Sequence, residues 1–118
     1  MHRFKDLEVW KISVEMVREI YEMTENFPKN EQFGLVNQIR RSAVSIPSNI
    51  AEGAGKNTNR DFNRFISIAS GSCNELETQL IISQELNFIS KDEYTEMGGK
   101  LNRIQNMIFG LQQSLRNT

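Results

Sequence analysis

The chain has 118 residues, a formal net charge of −1 and a single cysteine. This length predicts one domain spanning residues 1–118, and a lone cysteine excludes an internal disulfide. No apolar run approaches the ~20 residues that a membrane helix needs, and the N-terminal segment lacks the apolar core of a signal peptide, so we expect a cytoplasmic protein without membrane contact.

The first predicted helix covers about residues 6–26, ahead of Pro28, and carries two apolar stripes. One stripe consists of Leu7, Trp10, Val14, Val17 and Tyr21. The other consists of Val9, Ile12, Met16, Ile20 and Met23. A helix packed into one small bundle needs an apolar face of about 100°, and the two stripes cover about twice that. The second stripe therefore predicts an interface with another subunit, and a central position within its own bundle is the alternative.

The second predicted helix covers about residues 33–54 and contains Pro47. Its apolar phase continues through the proline, so we expect Pro47 to bend this helix and not to end it. The carbonyl of Ala43 loses its usual donor, and hydroxyls of nearby serines are its expected partners. These serines are Ser42, Ser45 and Ser48. Gly53 and Gly55 are expected to close the helix.

The third and fourth helices are predicted at about residues 59–87 and 91–116. Thr58 or Asn59 suits the N-cap of the third helix, and Asn87 suits a left-handed residue at its end. Ser90 with Glu93 forms a capping-box pattern that opens the fourth helix. Gly98-Gly99 indicates a close helix approach or a break. Together the four segments predict an all-α, antiparallel up-down-up-down four-helix bundle whose second helix is kinked at Pro47.

Residues that could support catalysis or metal binding are sparse. The single histidine, His2, cannot build a catalytic triad or a histidine metal site alone. Cys73 lies in the apolar series of the third helix, as a buried structural cysteine does. Gly53-Ala54-Gly55-Lys56 lacks the spacing and the preceding strand of a phosphate-binding loop. We therefore predict no catalytic residues, no metal and no cofactor, and a protein that is not an enzyme.

Basic residues concentrate in the middle of the chain, where residues 34–66 carry five cations and two acids. These cations are Arg40, Arg41, Lys56, Arg60 and Arg64. Two interpretations stay open: ion pairs with Glu52, Asp61 or a neighbouring subunit, or contacts to the phosphates of a nucleic acid. Aromatic residues are not interleaved with the cations, which argues against base stacking on single strands.

The run Ser45-Ile46-Pro47-Ser48-Asn49-Ile50-Ala51-Glu52-Gly53, preceded by Gln38-Ile39-Arg40-Arg41, closely resembles the signature of a known family. The family consists of four-helix-bundle proteins encoded in intervening sequences of large-subunit ribosomal RNA genes. Further matches are Phe4-Lys5-Asp6-Leu7 with Trp10, Phe27-Pro28, Phe33-Gly34-Leu35, Ile68-Ala69 with Gly71-Ser72, and Glu75-Leu76-Glu77-Thr78-Gln79-Leu80. Within the signature, the polar residues Asn49 and Glu52 are expected to stabilise the bend and the following turn.

The resemblance implies a small bacterial protein that assembles into a ring-like homopentamer, with no established catalytic residues. A related branch serves as the accessory subunit of reverse transcriptases in diversity-generating retroelements, but that branch is strongly basic and this chain carries a net charge of −1. The resulting hypothesis is a non-enzymatic homo-oligomer that acts as an RNA-associated accessory factor. The alternative is a protein-binding adaptor or scaffold without nucleic-acid contact.

Overall fold

The structure, a computed structural model, describes residues 2–116, so the predicted domain limits at residues 1 and 118 lie outside it. Four helices occur: α1 (Glu8–Thr24), α2 (Leu35–Ala54), α3 (Asn59–Glu85) and α4 (Lys91–Arg116). Short 3-10 helices at Phe4–Asp6 and Lys29–Glu31 precede α1 and α2. No strand occurs within residues 2–116, which confirms the all-α prediction. Each helix begins and ends within two residues of its predicted limits.

Each helix packs on the next one in the chain, and α1 also contacts α4. Helices α2 and α3 run antiparallel, as do α3 and α4, because the residue numbers of bonded partners rise in one helix as they fall in its neighbour. The bonds that show this are Ser42–Glu75 and Ser45–Ser72 between α2 and α3, and Ser70–Gln105 and Asn63–Gln112 between α3 and α4.

The helix ends follow the predicted local signals. The Thr58 hydroxyl accepts from the backbone N–H of Asp61, which makes Thr58 the N-cap of α3. Ser90 and Glu93 form the reciprocal capping box at the start of α4, with bonds of 2.9 and 3.0 Å. Asn87 has a φ of 62°, the left-handed conformation expected after α3.

Pro47 lies inside α2 and does not end it, as predicted. The bend of the helix stays a prediction. The expected role of the serines is wrong at two positions. Ser42 donates its hydroxyl to the Glu75 carboxylate at 2.7 Å, and Ser45 shares a 2.8 Å bond with Ser72. Both hydroxyls therefore connect α2 to α3, and they do not bond to the carbonyl of Ala43.

The stripe of α1 that was predicted to form an oligomer interface faces the core of the bundle. Val9, Met16 and Ile20 are 5%, 1% and 0% exposed and pack inside the chain's own bundle. They are not free to contact another subunit, which corrects the prediction for these three residues. Ile12 and Met23 are half-buried, and their place in an interface stays a prediction.

Two hydroxyl residues are buried together with this stripe. The hydroxyl of Ser13 donates to the carbonyl of Trp10, and that of Thr24 donates to the carbonyl of Ile20. Because their polar groups are satisfied within α1, both residues lie on the buried face with Val9, Met16 and Ile20. The opposite stripe is correspondingly more open, and Val14 and Tyr21 are each 41% exposed.

Helix α4 continues through the glycine pair without a break. A methyl group built on Gly99 would meet no atom within 4 Å, and one on Gly98 would approach only Tyr94 of the same helix, at 4.0 Å. The prediction of a break or a close helix approach is therefore wrong within the described chain. None of the helices in this part of the chain combines the length and the hydropathy needed to cross a membrane.

An ion-pair network joins α1 to α4. Lys100 bonds to Glu19 on α1 and lies 3.6 Å from Glu96 on its own helix. The hydrogen bond to Glu19 raises the pKa of Lys100 above its ordinary value. The folded chain therefore favours the protonated amine. Any stability that this contact adds is present at neutral pH and is lost as the pH rises through the raised pKa.

Candidate nucleic-acid interface

The five predicted cations lie in two groups at opposite ends of α2. Arg40 and Arg41 are near its start, whereas Lys56, Arg60 and Arg64 surround the turn into α3. At about 1.5 Å per helical residue, Arg41 and Lys56 are roughly 20 Å apart along the axis of α2. The structure therefore does not bring the five side chains into one cluster.

Arg40 is bound by groups of its own chain. Its Nε donates to the Thr24 hydroxyl at 2.9 Å, and its Nη2 donates to the Tyr21 carbonyl at 3.3 Å. The guanidinium also lies 3.4 Å from the Glu25 carboxylate and 4.3 Å from the centre of the Tyr21 ring. Ion pairing is thus present at Arg40, although with Glu25 and not with the predicted acids. Arg40 stabilises the packing of α1 on α2.

Arg41 is exposed and forms no ion pair within residues 2–116. It stands between two clefts. The cleft between α1 and α2 is lined by Tyr21 and Val44 among others, and the cleft between α2 and α3 is lined by Glu75 and Gln79 among others. A guanidinium in this position can reach a ligand in either cleft.

The second group, which we call the α3 basic cluster, consists of Lys56, Arg60 and Arg64. The Lys56 amine and the Arg64 guanidinium lie 5.0 and 4.7 Å from the centre of the Phe65 ring. Lys56 also pairs with Glu52 at 3.7 Å, whereas Arg60 and Arg64 form no ion pair in the part of the chain that the structure describes. An aromatic ring does therefore stand among these cations, contrary to the sequence prediction.

Phe65 was overlooked because its spacing matches the core series of α3. The structure leaves its ring half-buried, with two cations over it. The signal that could have found it is its place directly after Arg64 and close to the turn that carries Lys56.

The signature segment forms the contact between α2 and α3. The Asn49 amide donates to the carbonyl and to the hydroxyl of Ser45, at 2.8 and 2.9 Å, and the same hydroxyl bonds to Ser72. Pro47 is buried, Ser48 is exposed, and the helix ends at Ala54 with Gly55 as its C-cap. The polar signature residues therefore act first as a link between two helices.

Gly53 allows α2 and α3 to approach closely. A methyl group placed on it would lie 2.9 Å from Phe62 Cδ1 and 2.9 Å from Phe65 Cβ. The structure has no glycine with positive φ within residues 2–116, so backbone freedom does not explain this glycine. The absence of a side chain does.

The chain resembles known proteins in sequence and in fold. The family model of the 23S rRNA-intervening sequence protein matches residues 5–110. The chain belongs to this family. No curated protein matches the intervening-sequence protein described here.

A solved structure resembles this intervening-sequence protein over most of its length. It is a crystal structure from Bacteroides thetaiotaomicron VPI-5482 of a protein with unknown function from the S23 ribosomal protein family. The two chains are 25% identical, and the match covers 88% of this chain and 97% of the other, with a TM-score of 0.79. Neither comparison indicates a catalytic family. Within residues 2–116 no three histidine, cysteine or acidic side chains are grouped as a metal site would require.

The cysteine of this intervening-sequence protein should be unreactive while the chain is folded. Cys73 is 0% exposed, and burial raises the pKa of its thiol to about 12. Because the thiolate is the reactive form, Ellman's reagent at about pH 8 should label the denatured protein at once and the native protein only as it unfolds. Absorbance of the released thiol product measures both rates. Equal rates with and without denaturant would contradict the burial of Cys73.

Proposed function

We propose that this protein is a non-enzymatic, homo-oligomeric, RNA-associated accessory factor of the bacterial cytoplasm. The observation that carries the proposal is the exposure of Arg41, Arg60 and Arg64 without an ion pair in residues 2–116. The alternative explanation was ion pairing with Glu52, Asp61 or a neighbouring subunit, and within residues 2–116 none of the three arginines pairs with an acid. Membership of a family named for intervening sequences of 23S rRNA also supports an association with RNA.

The α3 basic cluster is suited to the sugar-phosphate backbone. Arg60 and Arg64 can donate to phosphate oxygens without first breaking an ion pair, and Lys56 must compete with Glu52. A net charge of −1 gives no global attraction to RNA, so binding depends on this local positive surface. Each phosphate that is neutralised releases counterions, which makes the affinity depend on salt.

The exposed apolar surface across α1 and α2 supports self-association. Val14, Tyr21 and Val44 are each about two-fifths exposed, and Trp10 and Val17 are half-buried beside them. A second copy that covers this surface would remove it from water. We propose the ring-like homopentamer of the family as the assembly. Repetition of the arginines around a ring would concentrate positive potential on a mildly acidic protein.

Salt-dependent RNA binding tests the proposed function. A labelled structured RNA is titrated with the protein at two salt concentrations, for the wild type and for a triple variant Arg41→Ala, Arg60→Ala, Arg64→Ala. We expect the slope of log K against log salt to become shallower by about 0.7–0.9 for each phosphate that the variant no longer neutralises. Arg40 is left intact because its removal would break bonds to α1 and could lower RNA binding by disturbing the fold.

The matched control removes three exposed cations from other helices, with Lys11→Ala, Lys91→Ala and Arg103→Ala. This variant loses the same charge and should keep the wild-type slope. Absence of binding at low salt, or the same slope change in both variants, would contradict the RNA-binding surface.

Self-association is tested by light scattering during size-exclusion chromatography. The wild type should elute as an oligomer at micromolar concentration, and Val14→Asp should dissociate it because a carboxylate in an apolar interface costs free energy. Ile68→Asp on α3 changes a residue of similar exposure, 44%, outside the proposed interface and should leave the assembly intact. A stable wild-type monomer would overturn the oligomer.

A protein-binding adaptor is the second candidate. Phe33 is 90% exposed and Leu86 is 51% exposed, and apolar side chains this open can anchor a protein partner. This function predicts a partner that is retained at high salt and released by Phe33→Ala.

A further inference from the structure

A polar cleft of about 320 Å³ lies between α2 and α3, beside the signature segment. Its volume is at the lower end of the range of about 300–1,000 Å³ found for small-molecule sites. Its lining side chains come from both helices and include Arg41, Ser42, Glu75 and Gln79. All of them carry hydrogen-bonding groups, so the cleft suits a ligand that is itself rich in donors and acceptors.

Gln79 is the unusual member of this cleft. The residue is only 7% exposed, yet its side-chain oxygen has no hydrogen-bond partner in the part of the chain that the structure describes. Buried amides are nearly always bonded, because an unpaired acceptor away from water destabilises the fold. The oxygen itself is shielded from solvent, so a ligand donor can bond to it only when the Gln79 side chain turns towards the cleft.

Glu75 provides a carboxylate that is already oriented. One of its oxygens accepts the hydroxyl of Ser42 at 2.7 Å, and Ser42 is 3% exposed. The carboxylate is held at the cleft by a buried donor, and ionised carboxylates have further lone pairs for N–H groups of a ligand. Arg41, at the rim, adds a guanidinium that can donate to acceptors of the same ligand.

We infer that this cleft binds an unpaired guanine base of an RNA. Guanine presents two adjacent N–H groups, N1–H and the 2-amino group, which match one carboxylate in a bidentate contact. Its O6 and N7 acceptors are those that arginine most often contacts. Adenine places the acceptor N1 where guanine has a donor, so the Glu75 carboxylate would repel it. Proteins that read RNA sequence contact unpaired bases in this way, through their edges.

The cleft and the α3 basic cluster both include residues of α3, with Glu75 and Gln79 in the cleft and Arg60 and Arg64 in the cluster. The two sites are roughly 20 Å apart along α2, which a few nucleotides of extended RNA can span. Phosphate contacts at Lys56, Arg60 and Arg64 would supply affinity, and the cleft would supply the choice of base. A carboxylate at an RNA-binding surface repels the phosphates of any RNA. Glu75 is therefore suited to distinguishing guanine from other bases and not to raising the affinity for RNA.

The inference rests on the proposed RNA association, and one titration separates the two. Labelled RNA hairpins carry an all-uridine loop whose central position is guanine, inosine or adenine. The wild type should bind the guanine hairpin roughly tenfold or more tightly than the adenine hairpin. Inosine, which lacks the 2-amino group, should fall between them.

Substitutions then assign the preference to the cleft. Glu75→Gln should reduce the difference between guanine and adenine to about twofold, whereas Glu77→Gln, an exposed neighbour on α3, should preserve it. Gln79→Met should raise the melting temperature of the free protein, because the unpaired amide oxygen is removed, and should weaken the preference only where this amide contacts the base. A lower melting temperature for Gln79→Met would show a purely structural role and would overturn the use of Gln79.

The outcomes are distinct. Equal wild-type affinity for the three hairpins, or a guanine preference that survives Glu75→Gln, overturns the guanine site and leaves the RNA association standing. Absence of binding to every hairpin at low salt overturns both. A guanine preference that disappears in Glu75→Gln and persists in Glu77→Gln supports the site.

Discussion

Replacement of Phe62 by alanine should lower the free energy of unfolding by about 3–5 kcal/mol. Phe62 is 1% exposed on the core side of α3, and its ring contacts the ring of His2 at a centroid distance of 4.9 Å. The truncation removes a large apolar surface from the core and leaves a cavity that the rigid helices around it cannot fill. Urea denaturation followed by circular dichroism, at one fixed protomer concentration, measures the loss.

The matched control is Phe109→Ala on α4. Phe109 is 62% exposed, so its truncation should change the free energy of unfolding by no more than about 0.5 kcal/mol. Similar losses for the two variants would show that Phe62 is not the core residue that the structure places beneath the turn from α2 to α3.

Replacement of Gly53 by alanine should destabilise the protein by about 1–3 kcal/mol. The new methyl group would lie 3.0 Å or less from three atoms of α3, including the carbonyl oxygen of Phe62. A flexible side chain could move aside, but this carbonyl belongs to a helix. The two helices would therefore have to separate, which also strains the bond of Ser45 with Ser72. Urea denaturation under the same conditions measures the loss.

Gly99→Ala provides a control with the opposite sign. A methyl group on Gly99 meets no atom within 4 Å, so alanine should stabilise α4 by about 0.5–1 kcal/mol through its higher helix propensity. If both alanine variants were stabilised alike, the close contact between α2 and α3 at Gly53 would be refuted.

The helices could be predicted from the sequence because their signals are local. Apolar residues at three- and four-residue spacing predicted every helix, and the capping residues Thr58, Ser90 and Asn87 marked the ends. The continuation of α2 through Pro47 followed from the same spacing, because the apolar phase was maintained on both sides of the proline. Such signals depend on neighbours within a few residues and are visible without knowledge of the fold.

Local signals in the sequence did not show which face of α1 is buried. Ser13 and Thr24 look like solvent-facing residues by type, but they are 0% and 2% exposed, and their hydroxyls bond to carbonyls of the same helix. Without them, the two apolar stripes appear equivalent. The sequence prediction assigned Met16 and Ile20 to a second subunit, whereas both are buried inside the chain's own bundle.

At the candidate site, contacts between residues far apart in the sequence could not be predicted either. Arg40 is next to Arg41 in the sequence, but the bonds that occupy Arg40 come from α1. Glu75 and Ser42 are far apart in the chain and meet only because α3 folds back on α2. Charge and residue type gave the candidate side chains, and the packing of the helices decides which of these candidates are exposed and which are bonded within the chain.

The order of the helices has a consequence for how the protein reaches its native state. Each helix packs against its successor. The contact between α1 and α4, which joins the segments farthest apart in the chain, is the smallest contact between the four helices. Chains dominated by such local pairings fold in microseconds to milliseconds, since little loop entropy is lost before the helices meet. The proposed association of copies would be a bimolecular step whose rate falls with dilution. At low protein concentration each chain should therefore complete its own bundle before it meets another.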